Sequence, residues 1–435
     1  MAVSLAGIVA ASAYAGLLPI LISFIPMLGI AIAYQRLNRW DQNAGATYSW
    51  VARALNPTLG FLSGWMILLY YTVGTTSLTI PCGTYTLQIF APDLVNNQLA
   101  VGIVGGAWDI LVTLLALLTI QIAAKFEWAF AIFEYIILGL FAIIGIVWVF
   151  TSKTAVPLSS HWFTLRGAGG VKGLIAGILV ACFMYSGWDA AVYVNEETRD
   201  PARNPGRAAI ASVIILAVFY SVSTFGFQGI LTNDELQKNA GNALAIIAHK
   251  LLPGPWGVVM SLVVLTGTIA SLQAAVISAA RMGFSMANDR VMPSFFRRTA
   301  SSNGSPYAAT LFMGGINLLF LVLSLATGGI AAALSNVVSA LGLIALLFYG
   351  LTAAAALWHF RDSLTKSAGN LILGGILPAI GIIFAVVVIV LSITTQATND
   401  TVLAYGIGAV VLGLVIAFVL RFTGAATFFK GKTAL

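Results

Sequence analysis

Residues 172–208 read KGLIAGILVACFMYSGWDAAVYVNEETRDPARNPGRA, and this stretch decides the fold. It begins as an apolar run, sets Ser186-Gly187 and the carboxylate Asp189 inside that run, and closes in a loop dense with charge. In hydrocarbon a backbone must satisfy its own hydrogen bonds, so a helix interruption beside an ionisable group is tolerated where protein encloses a cavity. Secondary transporters hold their cargo at such interruptions. The stretch therefore predicts a membrane helix broken at mid-depth with a binding site at the break.

Composition extends this outward. Of 435 residues, 60% are hydrophobic and 8% charged, against roughly 25% charged in an average soluble domain, and the mean hydropathy is +0.97. Apolar segments of membrane-crossing length fall near 1–15, 17–36, 56–91, 99–122, 127–151, 173–195, 207–231, 254–287, 307–326, 330–359, 370–395 and 401–422. The expected fold is an all-α membrane protein, one domain over 1–435. Segments 56–91 and 254–287 exceed a straight crossing, which predicts tilt or extension beyond the lipid. Segment 1–15 reaches only about 22 Å at the helical rise and lacks the basic flank of a signal peptide. It reads as half a helix, and a late-assigned start is expected in preference to an amine buried at the midplane.

With loops alternating sides, sixteen of the 21 Lys and Arg residues fall on one face, from Arg36, Arg39 and Arg53 to Arg421, Lys430 and Lys432. The positive-inside rule makes that face, and the C-terminus, cytoplasmic in an inner or plasma membrane. The net charge of +7 follows from this bias at helix ends and calls for an anionic bilayer surface, not for nucleic acid. Cys82 and Cys182 lie in apolar segments and read as inert small hydrophobes. His161, His249 and His359 are far apart in sequence, and no GxxxxGK[ST] is present. No catalytic residue, metal site or cofactor is expected, and the chain does not read as an enzyme.

Four acids lie in or at the edge of apolar segments: Asp109, Glu127, Glu134 and Asp189. Glu127, two residues from Lys125, reads as interfacial, and nothing near Asp109 in sequence supports a role for it. Glu134 sits between FAIF and YIILGLF with no basic residue within reach on its own helix. An apolar setting favours the protonated form of a carboxyl group, which suits a proton carrier; a neutral carboxyl bonded to a neighbouring helix is the structural alternative. Asp189 either meets substrate at the unwound segment or caps the half-helix that follows. Tyr185 and Trp188 read as gates or as packing. The loop Glu196 to Arg207 reads locally as a solvated set of ion pairs with a Pro/Gly turn.

YSGWDAAVYVNEETRDPARNPGRA resembles the sixth helix and following loop of amino acid-polyamine-organocation superfamily permeases, roughly YSGFDAxxxxAEETKNPKRNIPRA. Asn43-Ala44-Gly45-Ala46-Thr47-Tyr48 is similar to the family's EAGGxY, Ala280-Arg281 and Asn288 to Pro293 to its SR and RDGxLP, and Gly304-Ser305-Pro306 to its GTP. The resemblance implies a five-plus-five inverted repeat, here 1–151 and 173–359, with two added helices at 370–422. It places the glycine-rich unwound part of helix one upstream of Met1. Two family glycines are replaced, by Ala46 and Arg290, and a family proline is displaced to Pro205. The implied substrate site is Phe183, Tyr185, Ser186, Gly187, Trp188 and Asp189, with Phe183 as an occluding aromatic. Glu134 falls near the position that holds sodium in sodium-coupled relatives, and an acid there favours a proton over sodium, with Ser271 on the facing wall. The implied function is proton-coupled secondary active transport of an amino acid or related amine by alternating access; the runners-up are an amino acid/polyamine antiporter and a transport-inactive substrate sensor.

Overall fold

The computed structural model describes residues 7–9, 11–117, 120–151, 156–238, 242–301, 304–326 and 330–430, and the side chains of 118–127 and 330–335 lie outside that description, as do those of Asn233 and Gln237. Among the described residues the secondary structure is helical, with no strand. The long helices are α1 (Leu17–Trp40), α2 (Pro57–Phe90), α3 (Gln98–Leu115), α4 (Ile120–Thr151), α5 (Gly170–Tyr185) continued by α6 (Ala190–Tyr193), α7 (Asn204–Gln228), α8 (Trp256–Asn288), α9 (Tyr307–Ala326), α10 (Ile330–His359), α11 (Leu377–Thr394) and α12 (Asp400–Leu420). Among the described residues ten spans are long and apolar enough to cross a membrane. Helix α2 is not among them, because its glycines, threonines and tyrosines dilute its apolar character, yet at 34 residues it is the longest helix described.

Local chemistry sets the ends. Asn56, Asn97 and Asn399 cap α2, α3 and α12, each side chain accepting from an N–H in the first turn. Left-handed Gly169 (φ 76°) turns the chain into α5. Helix α8, 33 residues long, reaches about 50 Å at the helical rise, more than a straight crossing needs, as does α2 at 34 residues. Segments 99–122 and 127–151 divide earlier than expected: α3 ends at Leu115 and α4 begins at Ile120. The run LLTIQIAA contains no glycine or proline to betray that turn. Lys125 and Glu127, expected to be interfacial, lie outside the described side chains, as do Met1 to Ala6 of the short first segment.

Packing is inside out relative to a soluble protein. Large apolar side chains such as Phe150, Val218, Ile383 and Phe418 are exposed around the perimeter, where lipid is their solvent. Thr72, Thr75, Asp109, Asp189, Gln273 and Asn317 are buried between helices. Helices α4 and α7 meet backbone to backbone, a Cβ on either Gly145 or Gly226 colliding with the other helix's main chain. The central pair is α2 and α8, which pack along much of their length and form, with α4, α5 and α7, the walls of the site.

Candidate functional site

The predicted break is where the sequence places it. Helix α5 stops at Tyr185, Ser186 is extended (φ −71°, ψ 162°), Gly187 has φ 100°, and α6 starts at Ala190. Glycine is required at 187 by backbone conformation and not by space, since a Cβ there would meet nothing within 4 Å. Ser186 Oγ closes the end of α5 by donating to the Cys182 carbonyl at 2.6 Å.

The break opens into a cavity of about 390 Å³ whose walls include Tyr70 and Ser77 of α2, Glu134 of α4, Phe183, Ser186, Gly187 and Trp188 at the break, Tyr220 of α7, and Gly267 and Ser271 of α8. Six of the eight residues expected at the site therefore line one space. The Glu134 carboxyl lies directly against Gly267, where any side chain would overlap it. Ser271, one turn on, donates its hydroxyl to the Gly267 carbonyl at 2.9 Å. Trp188 presents a buried indole N–H that has no hydrogen-bond partner among the described residues.

Tyr185 and Asp189 do not line the cavity. Tyr185 is buried and donates to the Ile20 carbonyl of α1 at 3.1 Å, which anchors α5 to α1. Asp189 is fully buried; it accepts from Tyr349 (2.8 Å), Tyr193 (3.0 Å) and the Gly187 N–H (3.2 Å). Nor does its side chain cap α6. Its carboxyl instead reaches back to the unwound residue and across to α10, tying the two together. The interior setting of a carboxyl is tolerable because three donors face it.

Below the break, towards the arginine-rich end, aromatic rings fill the path. Trp188 stacks on Tyr349 (5.2 Å, 14°), and Tyr34 meets Trp188 edge-on at 4.8 Å. Tyr34 accepts from Thr47 at 2.6 Å. Beyond them the charged loop makes long-range bonds. Asn195 donates to Asn38 (3.0 Å), Glu196 accepts from the Ala44 N–H (2.7 Å), and Glu197 holds Arg281 through two bonds of 2.7 and 3.2 Å. Tyr48 donates to Asp289 at 2.8 Å, and Asp41 pairs with Arg53 at 3.1 Å. The expectation of a loop pairing its own charges is corrected here, because Glu196 and Glu197 face α8 and the turn after α1. Burial pushes the carboxyl of Asp289 above its usual range, with Tyr48 and Arg53 opposing.

The replaced family glycines leave a trace. Ala46 (φ 38°) and Arg290 (φ 63°) both occupy the left-handed region, where a side chain is strained. Sequence reasoning missed Gly267, Tyr193, Tyr220 and Tyr349. A tyrosine or glycine in an apolar helix carries no local mark of what it faces.

A discontinuous helix opening into a mid-depth cavity, within a bundle of long apolar helices, defines a multi-pass membrane protein of secondary-transporter architecture. The chain belongs to the amino acid permease family, whose model matches residues 1–423, and so to the amino acid-polyamine-organocation superfamily. It is 24% identical over 424 residues, 95% of this chain and 72% of the relative, to the human Large neutral amino acids transporter small subunit 2. It is 23% identical over 293 residues, 67% of this chain and 55% of the relative, to the mouse Asc-type amino acid transporter 1. Over 351 residues, 79% of this chain and 74% of the relative, it is 24% identical to the Low-affinity putrescine importer PlaP of Escherichia coli strain K12. The chain thus spans from about half to three quarters of the length of these curated relatives.

Proposed function

We propose that this permease is a proton-coupled secondary transporter of an amino acid or related amine, working by alternating access. The observation that carries the reading is the meeting, in one cavity, of the Ser186-Gly187 break and the Glu134 carboxyl. An amino acid brings a carboxylate and an ammonium group. Glu134 supplies a counter-charge for the second or a seat for the proton, and the Ser186-Gly187 edge of the break faces the same space. Phe183, on the cavity wall, is the occluding aromatic. Proton occupancy at Glu134 biases the conformational equilibrium only through its different affinity in the two states.

In this reading 1–151 and 173–359 are the two repeats, the last two helices are accessory, and the arginine-rich face with the C-terminus is cytoplasmic in the plasma membrane. The network joining Glu196, Glu197 and Asn195 to α1 and α8 then closes the cytoplasmic path and must part for release. An amine carrier is the second reading, favoured by the acid on the cavity wall and by the likeness to a putrescine importer. A thermal-shift screen over amino acids and polyamines, followed by counterflow with the best ligand in proteoliposomes, tests both. Stabilisation and counterflow by an amino acid support the first reading, the same by a diamine alone supports the second, and neither response from any member of either class refutes both.

A further inference from the structure

Past α12 the chain turns back onto the bundle. Helix α12 stops at Leu420, and one further helical turn, Ala426–Phe429, follows. Ala425 and Phe428 are buried there, while Phe422 is exposed. The match to the family model ends at residue 423, so this docked turn follows the matched part of the chain. It is anchored to the start of α2. Arg421 donates to Thr58 Oγ1 at 2.5 Å and lies over the Phe429 ring, which in turn meets Phe61 at 6.0 Å. Phe428 stacks on Tyr48 (5.4 Å, 12°).

Tyr48 spans a seam. It stands in the short helix Thr47–Ala54, and its hydroxyl donates to Asp289 Oδ2 at the end of α8. Ser285 of α8 donates across the same seam to Asn43 Oδ1 at 3.3 Å, and Glu196 accepts from the Ala44 N–H. The Tyr48 ring is confined by Phe428 and by Gly64 of α2, where a Cβ would lie 2.9 Å from it. A side chain held in one rotamer gives up less entropy on bonding than a free one, so this confinement strengthens the Tyr48–Asp289 bond. Phe428 also walls a pocket of about 170 Å³ at the seam, together with Arg53, Glu196, Ser285, Asn288 and Asp289. The C-terminal turn therefore touches the bonds that join α8 to the segment between α1 and α2, and its aromatic stack supports one of them.

We propose that Phe428 is a positioning residue of the cytoplasmic closure: the C-terminal turn holds the Tyr48 hydroxyl on Asp289 and so latches the path shut. The inference rests on reading the Glu196, Glu197 and Asn195 network as that closure. Its test needs neither cargo nor proton, so the latch and the transport reading can fail separately. Thr47→Cys places a thiol at a buried position bonded to Tyr34, while the native Cys82 and Cys182 are free and buried on α2 and α5. The purified full chain is labelled with a maleimide, and each thiol is followed by mass spectrometry. Phe428→Ala should speed labelling at position 47 roughly two- to tenfold, the factor that loss of one aromatic pair supplies. Phe428→Tyr, which keeps the ring, should retain the slow rate. Ser49→Cys, also buried in the same short helix, takes the reporter's place if Thr47→Cys does not fold. An unchanged rate in Phe428→Ala, or an equal acceleration at Cys82 and Cys182, overturns the proposal.

Discussion

Replacing Gly267 by alanine probes the contact between the Glu134 carboxyl of α4 and the facing helix α8. The new Cβ would lie 2.7 Å from the Glu134 carboxyl carbon and 2.8 Å from Oε1. Carbon contacts are comfortable at about 3.5–4.0 Å, so the carboxyl must retreat by about 1 Å. Forcing extra volume into a packed helix pair costs ~1–3 kcal/mol, while alanine in place of glycine in a helix interior returns roughly 0.5–1 kcal/mol. Because the displaced atoms are the end of a flexible side chain beside a cavity of about 390 Å³, the retreat is cheap. Net stability should stay within about 1 kcal/mol of wild type. Transport should not, because the displaced carboxyl is the proposed proton seat. A loss of about 1.4 kcal/mol of coupling at Glu134 is tenfold in rate or affinity. Proteoliposome uptake driven by a pH gradient should therefore fall about tenfold with the unfolding midpoint nearly unchanged. Gly139→Ala on α4, where a Cβ meets nothing within 4 Å, should leave uptake as it is. In a Glu134→Gln background Gly267→Ala should add little, since the effect runs through the carboxyl. A full second tenfold loss in that background would refute the reasoning.

Three further outcomes follow from the geometry. Gly187→Ala, at φ 100° with open space around the Cβ, should cost about 1–3 kcal/mol from backbone strain alone, read as a lowered unfolding midpoint together with lost uptake. Arg290→Gly should stabilise the protein by about 0.5–1 kcal/mol, because it relieves a left-handed arginine (φ 63°) at some entropic cost; an unchanged or lower midpoint counts against it. Burial raises the Asp289 carboxyl above its ordinary value of 3.8, so the folded state holds that proton more tightly than the unfolded one. Stability is then lost as pH rises from the ordinary value through the raised one. Asp289→Asn, whose amide oxygen still accepts from Tyr48, should be more stable than wild type at neutral pH, with the gain vanishing at acidic pH. A gain of equal size at both pH values would show that charge is not its source.

What was legible in the sequence was local. Ser186-Gly187 breaks its helix because extended and left-handed residues end an α-helix wherever they stand. The charged loop was legible by its likeness to a family pattern, though not by its own charges, because Glu197 finds Arg281, 84 residues on, and Glu196 finds the Ala44 N–H. The donors that meet Asp189 were not legible, because they include Tyr349, on another helix. Gly267 was invisible for the same reason, as its meaning lies in a carboxyl on α4. The turn between α3 and α4 was misplaced because hydropathy alone cannot divide a continuous apolar run.

The central claim is that Glu134 carries the proton that drives transport. Reconstituted Glu134→Gln protein, given the best ligand from the screen, should support substrate counterflow close to wild type while its net uptake no longer responds to an imposed pH gradient. Full pH-driven accumulation by that variant would contradict the account.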